Sequence, residues 1–348
     1  MAAAYVVAGK LGLQLAFVHA SATAVWPPTG IALAAFLVRG YHVWPGILLG
    51  AFLVNITTVG SVATSMGIAT GNTLEGVVGA YLVNTFANGS RALDRARDIF
   101  KFAVLAGVVS TTVSATVGVT SLTLGGFASW AAYGSIWWTW WLGDAAGALI
   151  VAPPLLVWSV NRRWRWPREQ GWEALLLVLS LLLVGQVVFG GWLPTGINNS
   201  PLEFLCVPLL VWAAFRFGQR EAATATVALS ALALWGTLHG FGPFARGTPN
   251  ESLLLLQVFM GTIAVTTMTV AAVVAERRDA EKQREGLMDS LKTLRGLLRI
   301  CSYCNKIRND QGLWIRLEAY IQEHSEAKFT HGLCPECAQR HYPQLYPG

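Results

Sequence analysis

Five cysteines occur in the chain, and four of them form two Cys-x-x-Cys knuckles, Cys301-Ser302-Tyr303-Cys304 and Cys334-Pro335-Glu336-Cys337. Two tight turns that each deliver a pair of soft thiolates suit a tetrahedral zinc ion. Four ligands leave no open coordination position, so the expected cofactor is a structural zinc held by Cys301, Cys304, Cys334 and Cys337. The 29 residues between the knuckles exceed the roughly 15–20 of the common spacing. His331 and His341 flank the second knuckle as alternative or supporting ligands, although four cysteines already complete the shell. Disulfides are the competing chemistry, and a reducing compartment, where charge places this end, disfavours them. A thioredoxin-like redox pair would need a βαβ context that the flanking sequence lacks. Cys206 lies in an apolar run and reads as a small core residue.

A second set of reactive groups lies in apolar surroundings: Lys10, Glu75 and Asp144. At bilayer depth an ionisable side chain costs roughly 2.5–3.5 kcal/mol, so each needs a partner, a cavity or a task. Asn72 and Glu75 are three apart and share a helical face, beside Gly71, Gly76 and Gly79, which permit close helix approach. Asp144 follows Trp140-Trp141-Leu142-Gly143 in another glycine-containing helix. With Trp26 and Asn55 near prolines of the first third, the candidate ligand-binding set is Trp26, Asn55, Asn72, Glu75, Trp141 and Asp144. The bland reading makes these packing devices, with Lys10 paired to a carboxylate and Asn or Asp bonded to backbone freed near Pro27, Pro28, Pro45, Pro153 and Pro154. Trp130, Trp137, Trp138, Trp140 and Trp141 fit an interfacial aromatic belt as well as a binding wall.

The elements that position these groups are set by composition. Hydrophobic residues make up 54% of the 348 and charged residues only 13%, against roughly 25% charged in a soluble domain. The charge is concentrated at the end: residues 276–348 hold 12 Lys/Arg and 10 Asp/Glu, and residues 1–275 hold 13 and 9. Apolar runs near 3–22, 28–39, 43–58, 64–86, 102–122, 131–158, 172–193, 202–217, 220–240 and 252–275 predict an all-α, polytopic transmembrane bundle of about 8–10 segments. The runs 28–39 and 43–58 are short and read as a re-entrant or tightly packed pair. The first run reads as a retained helix rather than a cleaved leader, because no charged region precedes it and Lys10 interrupts it. Arg91, Arg95, Arg97 and Lys101, then Arg162, Arg163, Arg165 and Arg168, then Arg216 and Arg220, then Arg277, Arg278 and Lys282 fall on one side of the ten-segment arrangement. The opposite loops, Pro194–Ser200 and Gly240–Ser252, hold only Arg246. This bias predicts a multi-pass protein of a bacterial inner membrane with both termini cytoplasmic. Trp26 to Asn55 and Cys206 to Trp235 share a cadence of proline, short helix, arginine turn and return, as a duplication would leave.

Three domains follow: a membrane domain 1–275, a helical stalk 276–299 and a four-cysteine module 300–348. Leu287, Leu291, Leu294 and Leu298 follow 4-3-4 spacing, which allows a short coiled-coil homodimer or a solvated stalk. Trp314, Leu317, Tyr320 and Ile321 predict an amphipathic helix, Leu313–His324, covering the knuckles. The excess of two basic residues after 275 is offset by four thiolates on one zinc, which argues against nucleic acid as a partner.

Val25-Trp26-Pro27-Pro28-Thr29-Gly30, Trp44-Pro45-Gly46, Gly71-Asn72-Thr73-Leu74-Glu75, Trp140-Trp141-Leu142-Gly143-Asp144 and Pro153-Pro154-Leu155-Leu156 occur in this order, followed by Pro208, Arg216-Phe217-Gly218 and Gly240-Phe241-Gly242-Pro243-Phe244. Together they resemble the first type of membrane-associated sensor family, bacterial integral-membrane sensory domains, over about residues 3–275. The resemblance implies signal input, from a small molecule or a membrane partner, passed to a kinase, cyclase or PAS module. No Gly-Gly-Asp/Glu-Glu-Phe motif, kinase glycine box or phosphoacceptor helix follows Ala275, so a non-enzyme is expected. Residues 297–343 resemble a small C-terminal module of bacterial sensor kinases, response regulators and PAS proteins, which implies signalling context. The leading expectation is a sensor in the lipid bilayer that detects an unknown small-molecule signal and relays it to a cytoplasmic signalling protein. A transporter and a thiol-redox sensor are the alternatives.

Overall fold

Each of the ten apolar runs has a helical counterpart among the described residues. The structure, a computed structural model, describes residues 1–14, 16–19, 22–58, 60–160, 168–192, 201–291, 298–309, 311–324 and 328–345. Arg162, Arg163 and Arg165, the Pro194–Ser200 loop and Leu294 lie outside them. The chain folds as two compact units, Met1–Arg277 and Arg278–Gly348.

The first unit is a helix bundle. Helix α1 (Ala2–Leu13) is shorter than the expected 3–22 run and gives way to an antiparallel pair, β1 (Ala16–His19) with β2 (Ala22–Thr23). Helices α2 (Pro27–Arg39) and α3 (Trp44–Ile56) have 13 residues each. At about 1.5 Å per residue neither spans a hydrocarbon layer of about 30 Å. They do not form the tightly packed pair the sequence suggests: joined by a 3₁₀ turn, Tyr41–Val43, each packs instead against α1 and against the helix that follows them both. Helix α4 (Val62–Phe86) follows, its first turn capped by the Ser61 hydroxyl.

Two further helices are interrupted by π-helical turns. Helix α5 (Ala96–Phe102) continues through a π segment, Ala103–Val109, into α6 (Thr111–Leu124). Helix α7 (Tyr133–Ala146) continues through a second, Gly147–Val151, into α8 (Ala152–Val160). Pro153 and Pro154 explain the second. Their rings would crowd the carbonyls of Leu149 and Ile150 in a regular helix, and the wider turn removes that clash.

The unit is completed by α9 (Arg168–Phe189), α10 (Val207–Arg216), α11 (Gln219–Leu238) and the part of α12 (Pro249–Leu291) up to Arg277. Five stretches are long and apolar enough to cross a membrane among the described residues: Ala96–Leu124, Trp130–Val160, Gln170–Phe189, Gln219–Leu238 and Glu251–Met288. One apolar core, including Tyr5, Phe36, Ile47 and Phe102, joins α1 to α5. Another, including Phe189, Leu210, Leu229 and Met260, joins α9 to α12, and Leu149 packs against both. Cys206 is fully buried in the second, as expected of a small core residue.

The repeated cadence also has a structural echo. Gly40 ends α2 at φ 87° and ψ 178°, and Gly218 precedes α11 at φ 117° and ψ −166°, a conformation open to glycine after each arginine. The basic turns gather at one end: Gln219 Nε2 donates to Leu93 O at 2.7 Å, Ala96 N–H to Glu276 Oε1 at 3.3 Å, and Arg220 lies 4.0 Å from the centre of the Trp158 ring.

The second unit departs from the expected Leu313–His324 helix. Trp314–Ile315 is instead a strand, β4, paired antiparallel with β3 (Ile307–Arg308), and α13 starts at Leu317. The Asn309 side chain accepts from Leu313 N–H at 2.8 Å and closes the intervening turn, which commits Trp314 to the strand.

Helix α2 meets the α7 segment backbone to backbone. A Cβ at Gly147 would strike the Trp26 carbonyl oxygen, one at Gly30 the Gly147 carbonyl oxygen, and one at Gly143 the Thr23 carbonyl oxygen. We therefore expect Gly147→Ala to lower stability by about 1–3 kcal/mol, as overpacking does. Gly134→Ala, with nothing within 4 Å of the added carbon, should leave it unchanged or raised. Thermal unfolding in detergent checks both, and equal midpoints for the two variants would contradict the close packing.

Candidate functional site

The residues that come together are not all six of the candidate set. Asn72 and Glu75 project from α4 and Asp144 from α7, and Thr29 at the start of α2 lies between them. Thr29 Oγ1 is 3.0 Å from Asp144 Oδ1 and 3.4 Å from Glu75 Oε2. Glu75 is 2% exposed and Asp144 fully buried. The second oxygen of each, Glu75 Oε1 and Asp144 Oδ2, has no hydrogen-bond partner among the described residues. Asn72 centres a second network: its Nδ2 donates to Tyr5 Oη at 3.1 Å, and its Oδ1 accepts from Ser114 Oγ at 2.7 Å. Trp140 Nε1 in turn donates to Ser114 Oγ at 3.1 Å. The two networks adjoin, with Thr29, Asn72 and Glu75 on one void, and together draw on α1, α2, α4, α6 and α7. The void beside Thr29, Asn72 and Glu75 is only about 10 Å³, room for one water at most.

The other candidates are placed differently. Asn55 donates to Ala51 O of its own helix at 2.8 Å. Trp26 has its ring against α1 at Gly9 and Gly12, and its backbone N–H donates to Gly143 O at 2.9 Å. Trp141 donates through Nε1 to Val108 O at 3.0 Å and lines a separate groove. Lys10 does not pair with a carboxylate, as the bland reading had it. Its Nζ reaches Val54 O, Thr57 O and Thr58 Oγ1 at 3.3, 3.1 and 2.8 Å, satisfying the last carbonyls of α3 at its negative dipole end. The tryptophans also divide: Trp140 is buried, whereas Trp130 and Trp138 are exposed, as a belt requires.

Thr29, Ser114 and Tyr5 were absent from the candidate set. Position held the signal for Thr29. Thr73, Thr111, Thr123 and Thr226 each bond the carbonyl four residues earlier in their own helix. Thr29 sits in the first turn of α2, where the residue four earlier, Val25, precedes the helix, and its hydroxyl turns instead to another helix.

The knuckles lie in the second unit. Asn305, at φ 55°, closes the first, with its N–H donating to Cys301 O and Cys301 N–H to Lys306 O. In the second, Cys334 caps α14 (Pro335–His341), its Sγ accepting from Cys337 N–H at 3.4 Å. The Cys304 and Tyr303 amides and the Cys304 thiol hold the Cys301 thiol below its usual range. The Cys337 amide and thiol do the same for Cys334, while the hydrogen bond and charge of Cys334 push Cys337 up. Thiolates accepting backbone N–H bonds suit a soft metal. Among the described residues, however, no three His, Cys, Asp or Glu side chains gather as a metal site requires. Each knuckle is formed, and the four sulfurs are not brought together.

The polar centre makes a direct prediction. Thr29→Val should destabilise the bundle by about 1–3 kcal/mol, because two buried carboxyls lose their common partner. Thr29→Ser should retain most of it. Unfolding in lipid bicelles measures both, and equal stability of the two variants would rule out the shared hydroxyl.

The comparisons with known proteins agree with the bundle's extent. Residues 1–278 match the MASE1 family. Over 266 residues the chain is 27% identical to the probable diguanylate cyclase DgcE of Escherichia coli (strain K12), a match covering 73% of this chain and 23% of that protein. The chain thus spans under a quarter of that relative's length. No solved structure matches. On its match over residues 1–278, this multi-pass membrane chain belongs to the MASE1 family, whose domain is a sensory one.

Proposed function

We propose that the protein is a bacterial inner-membrane signal sensor, with both termini cytoplasmic, that detects a small ligand or membrane partner and relays it to a cytoplasmic signalling protein. The carrying observation is that α12 is one unbroken helix of 43 residues beginning within the MASE1 region. At about 1.5 Å per residue it is roughly 65 Å long, about twice a hydrocarbon layer. A movement of its apolar part is therefore passed mechanically to its charged part. Basic turns gathered at one end support the orientation.

The input rests on helices α2, α4 and α7, tied by Thr29, Glu75 and Asp144. A signal biases the relay only by binding two arrangements of these helices unequally. The output is a module whose two formed knuckles, with their sulfurs apart in this structure, close on a structural zinc at Cys301, Cys304, Cys334 and Cys337 when the metal binds. Such a small unit has little core of its own, and a metal supplies the missing stability. The relative's name gives a signalling context, while residues 279–348 contain no Gly-Gly-Asp/Glu-Glu-Phe motif.

Two measurements on the full-length protein test the reading. Asp144→Asn should change hydrogen exchange along residues 278–291, and unchanged exchange would remove the relay. Metal analysis should find about one zinc per chain, lost in Cys334→Ser, whereas a wild-type protein without zinc would remove the metal module.

A further inference from the structure

Both π segments border the same feature. Val104, Gly107 and Val108 of the first and Leu149 of the second line an open-sided groove of about 440 Å³, closed by Trp141 and by α12 at Gln257 and Gly261. This is far larger than the void beside Glu75, and it falls within the usual range for small-molecule sites, about 300–1,000 Å³. Irregular π turns recur at functional sites because they open a helix and free its carbonyls. Here Ser110 N–H bonds Leu105 O, and Trp141 Nε1 takes the Val108 carbonyl.

The groove is apolar, and among the described residues no charged side chain lines it. One polar atom is out of balance. Gln257 is 4% exposed, and its Nε2 donates to Ala24 O at 2.7 Å, which fixes the amide orientation. Its Oε1 is left buried, without a hydrogen-bond partner among the described residues, in a residue lining the groove. An orphaned acceptor in an apolar site calls for a donor from outside the chain. We propose that this groove binds a small, neutral, membrane-dissolved amphiphile, its apolar body along the first π segment and α7 and its hydroxyl or amide N–H donating to Gln257 Oε1. Neutrality follows from the uncharged lining, and access from the open side along spans that face lipid. The site is separate from the Glu75–Asp144 centre and does not depend on the relay.

Glycine makes the room. A Cβ at Gly261 meets only Leu149 Cδ1, at 3.6 Å, so alanine fits there and leucine fills the groove. The test uses the full chain in nanodiscs of phosphatidylethanolamine and phosphatidylglycerol, with a diazirine-bearing decanol and its methyl ether as probes. The alcohol should label peptides around Val104–Val108 and Leu142–Leu149 about five-fold more than the ether, the effect of one hydrogen bond. Gly261→Leu should abolish labelling, Gly261→Ala should keep it, and Gln257→Leu should keep labelling but erase the preference. Equal labelling by alcohol and ether in the unaltered protein would overturn the proposal without relying on any variant's folding. So would labelling undiminished in Gly261→Leu, because both mark ordinary lipid contact.

Discussion

Where α2 begins, its backbone lies directly on the α7 segment, with Trp26 N–H bonded to Gly143 O and no space for a side chain at Gly30, Gly143 or Gly147. That contact is what allows a threonine, one of the shorter polar residues, to reach carboxyls on two other helices. Had either helix carried alanines at those crossings, the axes would separate and Glu75 and Asp144 would be buried without a common partner. In a bilayer, where lipid is as apolar as leucine, such small-residue crossings and interhelical hydrogen bonds replace the hydrophobic drive of a soluble core. The remaining close approaches follow the same logic, with Gly76 of α4 under the Phe36 ring and Gly71 against Val117.

Helix α7 serves two places at once. Trp140 reaches inward to Ser114 and the polar centre, and the next residue, Trp141, reaches across to the π turn at Val108. The prolines after the second π turn make this geometry compulsory, since a regular helix cannot pass through Pro153 and Pro154 without losing backbone bonds. The freed carbonyls of the first π segment are taken up by Thr111, Thr112 and Trp141. Irregular backbone is tolerated here because each freed group finds a neighbour.

Much of this was legible in the sequence. Long apolar runs mark helices wherever they lie, and the Asn72–Glu75 spacing with its glycines announced a packed polar face on α4. The hairpin after Leu13 was not legible, because alanine, phenylalanine and valine are apolar in either conformation and hydropathy cannot separate them. Thr29 was hidden for a different reason: its role depends on which helix crosses its own, a long-range fact that periodicity does not carry. The same applies to Lys10, whose partners are carbonyls more than 40 residues away. Trp314 fell to the strand because a local turn at Asn309 outweighed a helical spacing too short to decide. The cysteine spacing named a zinc chemistry, whereas among the described residues the four sulfurs are not gathered.

The central claim is that Thr29 and Asp144 act as one unit in holding α2 to α7. A double-mutant cycle on unfolding in bicelles, using Thr29→Val and Asp144→Leu singly and together, measures this directly. The account predicts a coupling of about 1 kcal/mol or more, the range for residues in one hydrogen-bond network. Effects that add to within about 0.3 kcal/mol would show that the two residues are independent and would contradict it.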